Sequence, residues 1–126
     1  MKTIIQTPKA PAPIGPYNQA ILVDNTLYAS GQIALDPKTM ELVNRDIETE
    51  TTQVMRNLSE VLKAAGMDFT NVVKTTIFLY DMGDFTAVNK VYGSYFDHKV
   101  APARETVQVA ALPKNVRVEI SVIAIR

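Results

Sequence analysis

Ala101-Pro-Ala-Arg-Glu-Thr-Val-Gln-Val-Ala-Ala-Leu112, followed one short turn later by Val116-Arg-Val-Glu-Ile-Ser-Val-Ile-Ala-Ile125, reads as two consecutive β-strands. Side chains on a strand alternate between faces with period two. In the second strand Val116, Val118, Ile120 and Val122 form an apolar face, with Arg117, Glu119 and Ser121 opposite. In the first, Arg104, Thr106 and Gln108 share one face, and Glu105, Val107 and Val109 the other. Taken as neighbours, the two strands each present an apolar face and a polar face, and the polar side holds a guanidinium and a carboxylate. A guanidinium is a natural receptor for a substrate carboxylate. A carboxylate beside it is suited to handle water or a proton.

The rest of the chain supplies a frame for that pair. Pro8, Pro11, Pro13 and Pro16 make an extended opening segment, which Gly15-Pro16-Tyr17 delivers into a hairpin. Its strands are Ile21–Val23 and Thr26–Leu35, joined by Asp24-Asn25, two residues that tolerate positive φ. Ile47, Thr51, Val54, Leu58, Val61, Leu62 and Ala65 recur at helical spacing, with Gly66 where a helix ends. Val72 to Tyr80 is β-branched and aromatic, as strands are. Asp84 is placed to cap a second helix with the stripe Phe85, Val88, Tyr92, Tyr95 and Phe96. The predicted order is β-β-α-β-α-β-β, an α+β fold with two helices on one face of a mixed sheet.

Composition removes several chemistries. With 126 residues, 47% of them apolar, one domain spanning 1–126 with a real core is expected. Thirteen basic residues balance thirteen acidic ones, so no global field draws the chain to nucleic acid or an anionic membrane. The absence of cysteine excludes disulfides, thiol nucleophiles and cysteine-ligated zinc, and fits a cytoplasmic location. The one histidine, His98, lies in a polar loop and cannot build a multi-histidine metal site. No stretch approaches ~18 consecutive apolar residues, so no membrane span is expected. The sheet face away from the helices mixes polar residues with Ile123 and Ile125, which suits self-association better than open water.

Ala12-Pro-Ile-Gly-Pro-Tyr17, Tyr28-Ala-Ser-Gly-Gln32, Ala101-Pro-Ala-Arg104 and Val107-Gln-Val-Ala-Ala-Leu-Pro-Lys114, with Val118-Glu-Ile120, resemble the RidA (YjgF/YER057c/UK114) family over essentially the whole chain. The resemblance implies the chorismate mutase-like fold and a homotrimer with clefts between subunits. It implies an enzyme without metal or cofactor, which hydrolyses 2-aminoacrylate/2-iminopropionate and 2-iminobutyrate to ammonia and 2-keto acids. By motif position, Tyr17, Ser30, Gly31, Arg104 and Thr106 would bind substrate, with Arg104 and Glu119 catalytic. Physical reasoning about the residues is compatible. Arg104 can hold an imino acid's carboxylate bidentately, and Glu119 can activate water toward the C=N carbon. Tyr17 can close over a cleft or plug the core, and Gly31 marks a close approach to a strand. Asn89, on the second helix, is expected to bond a loop backbone, with support of a substrate-contacting side chain as the alternative.

The chain departs from the family at four positions. Thr106 stands where many members have cysteine, Glu105 where a small residue is usual, Ala111 for a common arginine and Ala20 for a common glycine. Any hydrolysis therefore proceeds by direct attack of water. Two other readings of the pocket stay open. One is a regulatory protein that senses a 2-keto acid, for which Glu119 beside an anionic ligand has little use. The other is a nucleic-acid-directed protein, against which the balanced charge and the lack of interleaved basic and aromatic residues speak.

Overall fold

The computed structural model describes residues 1–126 and contains six strands and two α-helices. The strands are β1 (Lys2–Ile5), β2 (Ala20–Val23), β3 (Thr26–Gln32), β4 (Val72–Leu79), β5 (Ala103–Gln108) and β6 (Val118–Ile125). The helices are α1 (Ile47–Ala64) and α2 (Phe85–Gly93). They form one sheet of order β1-β2-β3-β6-β4-β5, in which only β4 and β5 run parallel. The α+β reading holds, with one strand added: the order is β-β-β-α-β-α-β-β. The extra strand β1 pairs residue for residue with β2, from Lys2 opposite Val23 to Ile5 opposite Ala20. Only Ile5 of its four residues is buried, so an edge strand of this kind carries almost no hydrophobic pattern.

Local chemistry sets the boundaries. The β2–β3 turn is two residues long, and Asp24 alone takes a left-handed φ of 53°. Asp46 caps α1 by accepting from Thr49 N at 2.8 Å, and Gly66, at φ 72°, ends the helical path. Asp84 does not cap α2 with its side chain; Asp81 instead accepts from Gly83 N at 2.8 Å one turn earlier. Tyr95 and Phe96 lie beyond the end of α2 and pack on Phe69 and Tyr92.

The core lies between the helices and one face of the sheet. Val54, Leu58, Val61 and Leu62 of α1 are fully buried against residues such as Leu27, Ile77, Ile120 and Ala124. No helix of the protein is long and apolar enough to cross a membrane. The other face of the sheet is open. In register across it run Ile4, Ile21, Tyr28 and Ile123, with Ile4 42% and Tyr28 51% exposed.

Strand phase in β5 is the reverse of the expectation that Arg104, Thr106 and Gln108 share the open face with Glu119 and Ser121. Arg104 registers with Thr75 and Thr106 with Ile77, and both β4 residues are buried on the helix side. Glu105 and Val107 register with Thr76 and Phe78, which also register with Ser121 and Glu119. Alternation separates the two sets of residues without saying which set faces the helices. At an edge strand beyond the helices' full cover, the polar set is the one turned toward them.

Candidate active site

Two separate clusters hold the candidate residues. The first forms around a β-bulge. Pairing of β3 with β6 is regular up to Ala29 opposite Val122 and resumes at Gln32 opposite Ile120, leaving Ser30 and Gly31 out of register. The Glu119 side chain lies directly over Gly31: a Cβ there would fall 2.1 Å from Glu119 Oε2. Burial pushes the Glu119 carboxyl above its ordinary value, and no cation offsets it. Glu119 shares a cavity of about 640 Å³ with Tyr17, Ser30, Gly31, Ile33 and Lys114. Ser30 Oγ donates to Asn18 O at 2.6 Å, and the Tyr17 hydroxyl accepts from Ile14 N at 3.2 Å.

One residue that the sequence did not single out ties this cavity together. Gln19 is 3% exposed. Its Nε2 lies 3.0 Å from Thr7 O, 3.1 Å from Ala10 O and 2.9 Å from Pro11 O, and its Oε1 accepts from Thr7 N at 2.7 Å. Its own carbonyl accepts from Ser30 N at 2.9 Å. Gln19 thus joins the proline-rich wall, including Pro11, to the bulge beneath Glu119. Its place two residues beyond the Ala12–Tyr17 motif was the available signal, but a buried glutamine has no periodicity to reveal it.

The second cluster lies on the helix side of β5. Arg104 Nη1 donates to Asn89 Oδ1 of α2 at 2.6 Å. The guanidinium carbon sits 5.0 Å from the Tyr92 ring centroid and 5.7 Å from that of Phe85. Asn89 therefore bonds the arginine and not, as expected, a loop backbone. Tyr92 is itself fixed by a 2.8 Å hydrogen bond to Thr75 Oγ1. Two residues on from Arg104, Thr106 Oγ1 is buried without a hydrogen-bond partner. His98, which packs on Gly93 with Nε2 3.3 Å from its carbonyl, lines the same cleft as Asn89 and Arg104.

Within one chain the two clusters do not meet. β4 lies between β5 and β6, so Arg104 and Glu119 are not on neighbouring strands as expected. Arg104 stands in the row of Thr75, on the helix side, and Glu119 in the row of Phe78, on the open side. The expectation of a guanidinium and a carboxylate side by side on one face is corrected accordingly. Arg117, expected on that same polar face, is engaged elsewhere. Its Nε and backbone N donate at 2.8 Å to the two oxygens of Glu50, which is completely buried, and its Nη2 donates to Asn44 O. No group of three or more His, Asp or Glu side chains is placed to hold a metal ion.

The family model described as Endoribonuclease L-PSP matches residues 7–126. The chain belongs to this family, the RidA (YjgF) family. It is 52% identical over 126 residues to the human 2-iminobutanoate/2-iminopropanoate deaminase, covering all of this chain and 91% of that one. Among solved structures it is similar to RidA from an Antarctic Psychrobacter, at 44% identity and a TM-score of 0.94, covering 98% of this chain and 99% of that one. It is likewise similar to Escherichia coli TdcF with bound serine, at 39% identity and a TM-score of 0.92, covering 98% of each chain. Against the RidA family pattern, Glu105 lies on the open face. There it bonds Thr76 Oγ1 at 2.5 Å and pairs with Lys74 at 3.0 Å, and these contacts hold its carboxyl below the ordinary value. That departure is remote from the Arg104 guanidinium; the Thr106 departure stands in its row.

Proposed function

We infer that this protein is a 2-iminobutanoate/2-iminopropanoate deaminase, which hydrolyses reactive imines to 2-keto acids and ammonia. The observation that carries the chemistry is the Glu119 carboxylate, desolvated over Gly31 in an otherwise uncharged-walled cavity apart from Lys114. A carboxylate whose pKa is raised toward neutrality takes a proton from water and returns it more readily than an ordinary surface carboxylate does.

We propose that the complete site forms between subunits of a homotrimer. One subunit supplies Glu119, Tyr17, Ser30 and Gly31, and its neighbour supplies Arg104 and Thr106. The separation of the two clusters on opposite sides of one sheet supports this, as does the apolar band on the open face. Arg104, held by Asn89 and backed by two aromatic rings, binds the substrate carboxylate and orients the C=N carbon. Glu119 removes a proton from water as its oxygen bonds to that carbon, and the C=N electron pair moves to nitrogen. Glu119 hands that proton to the nitrogen, giving a neutral carbinolamine. It then takes the carbinolamine hydroxyl proton and delivers it to the same nitrogen, so that the C–N bond breaks, ammonia leaves and the C=O bond forms. 2-Aminoacrylate enters the same path after tautomerising to 2-iminopropionate. The free Thr106 hydroxyl is available to the substrate at the Arg104 side.

The test is imine hydrolysis itself. A threonine dehydratase generates 2-iminobutyrate, semicarbazide traps what survives, and the wild type is compared with Arg104→Ala. The deaminase suppresses semicarbazone formation and the variant does not. Equal trapping with both proteins would leave a 2-keto acid-binding regulatory protein as the reading of the site.

A further inference from the structure

A second cleft, outside the site described, lies along the outer flank of α1 and has a volume of about 440 Å³. Three elements put cations into it: Lys9 from the opening segment, Lys38 from the loop after β3, and Arg56 and Lys63 from α1. The lining carboxylates are Asp36 and Glu60, leaving two positive charges in excess in a chain whose net charge is zero. Asp36 is turned inward on its own loop, where Oδ1 accepts from Lys38 N and Thr39 N. Glu60 pairs with Lys63 at 3.4 Å. Lys9, Lys38 and Arg56 have no carboxylate at ion-pair distance. Three unneutralised cations converging on a concavity of this size focus a positive field on a small ligand.

Two of the segments that line the cleft run on in the chain to line the Glu119 cavity. Lys9 continues into Pro11 and Ala12, and Asp36 follows Ile33 and Leu35; these four precursors and successors line the Glu119 cavity. Asn57, 1% exposed, lines the cleft and reaches the cavity wall: its Nδ2 donates to Ile33 O at 3.1 Å and Leu35 O at 3.0 Å. Gln53, in the cleft, donates to Asn57 Oδ1 at 2.9 Å. A ligand that draws Lys9, Lys38 and Arg56 together acts on the same two backbone segments that shape the cavity.

We propose that this cleft is an effector site for a compact anion carrying two or more negative charges, and that its occupancy alters substrate binding at the Glu119 cavity. The effector role rests on the deaminase reading; the binding itself does not. Nucleic acid is disfavoured because Tyr95 is the one aromatic residue in the cleft, where single-strand binding calls for several rings on which successive bases stack.

The full-length protein is titrated with inorganic pyrophosphate or with citrate at constant ionic strength, and backbone amide shifts are read by NMR. The two probes separate a phosphate source from a polycarboxylate one. Saturable shifts are expected at Lys38 and Arg56 and, through Asn57 and the continuous chain, at Ile33 and Leu35. The double variant Lys38→Gln/Arg56→Gln, altered only at exposed positions, should lose about tenfold or more in affinity. It should keep wild-type turnover without the anion, while in the wild type the anion shifts KM for 2-iminobutyrate by about twofold or more. Unsaturable shifts spread over Lys2, Lys90 and Lys99, or binding that the double variant retains, would overturn the site. Saturable binding that leaves the KM of an active wild type unmoved would overturn the effector role. A wild type that binds the anion but hydrolyses no imine would count against the deaminase reading, leaving the anion site standing.

Discussion

Adding one methyl group at Gly31 should disable the site while sparing the fold. The backbone at Gly31 is not in the left-handed region, unlike Gly15 and Gly66, so alanine fits its conformation. What alanine does not fit is Glu119. The new Cβ would lie 2.1 Å from Oε2, 2.8 Å from Cδ and 2.9 Å from Cγ. Restoring ordinary van der Waals separation requires the carboxylate to retreat by about 1.3 Å, and a misplacement of about 1 Å can cost on the order of a hundredfold in rate. The clashing atoms are the far end of a flexible side chain, so the thermodynamic cost should stay below about 1.5 kcal/mol. Gly31→Ala is compared with wild type in the dehydratase-semicarbazide assay and by urea denaturation, beside Glu119→Gln and the double variant. The double variant should be no slower than the slower single one, since both changes remove the same group. Undiminished turnover by Gly31→Ala would refute the placement of Glu119 at the reacting carbon.

Three more outcomes follow from the same geometry. Gln19→Glu leaves three backbone carbonyls, two of them buried, facing a carboxylate; urea denaturation should show a loss of about 2–4 kcal/mol. Steady-state assays below its melting range should show KM raised more than kcat is lowered. For Glu119 the raised folded-state pKa means that the folded protein holds the proton more tightly than the unfolded chain, so this group's contribution to stability falls as pH rises above the unfolded carboxylate value. Glu119→Gln should therefore raise Tm at neutral pH, a gain that fades below that value, whereas a Tm loss at neutral pH would show the charge to be compensated. Arg104→Lys keeps the charge but gives up the planar fork held by Asn89, and should lower kcat/KM on the order of tenfold or more, chiefly through KM.

Much of the fold was legible because burial imposes periods. The α1 stripe, the β2–β3 turn and the alternation of β6 from Val118 to Ala124 appear where their patterns place them, although β3 stops at Gln32, short of the Leu35 to which its apolar run was read. β1 was not, because an edge strand with one buried residue has no pattern. Sheet order was not legible either: β6 follows β5 in the chain but pairs with β3 and β4, which separates Arg104 from Glu119. The Arg104, Glu119 and Gly31 positions were visible as motifs, and the Gly31–Glu119 contact gives one of them a steric reason. Gln19 was missed, and the arginine that Asn89 supports was not foreseen, because each acts through a hydrogen bond between segments distant in sequence, for which local spacing carries no signal.

If Glu119 of one subunit works with Arg104 of the next, mixing subunits that each lack one of the two restores activity. Arg104→Ala and Glu119→Gln are each prepared as inactive proteins, then unfolded together, refolded at equal ratio and assayed for 2-iminobutyrate hydrolysis. Random assembly should restore about one quarter of wild-type turnover, because one site in four then combines an intact Glu119 with an intact Arg104. Mixed assemblies that form but stay inactive would contradict the claim and require both residues to act within one chain.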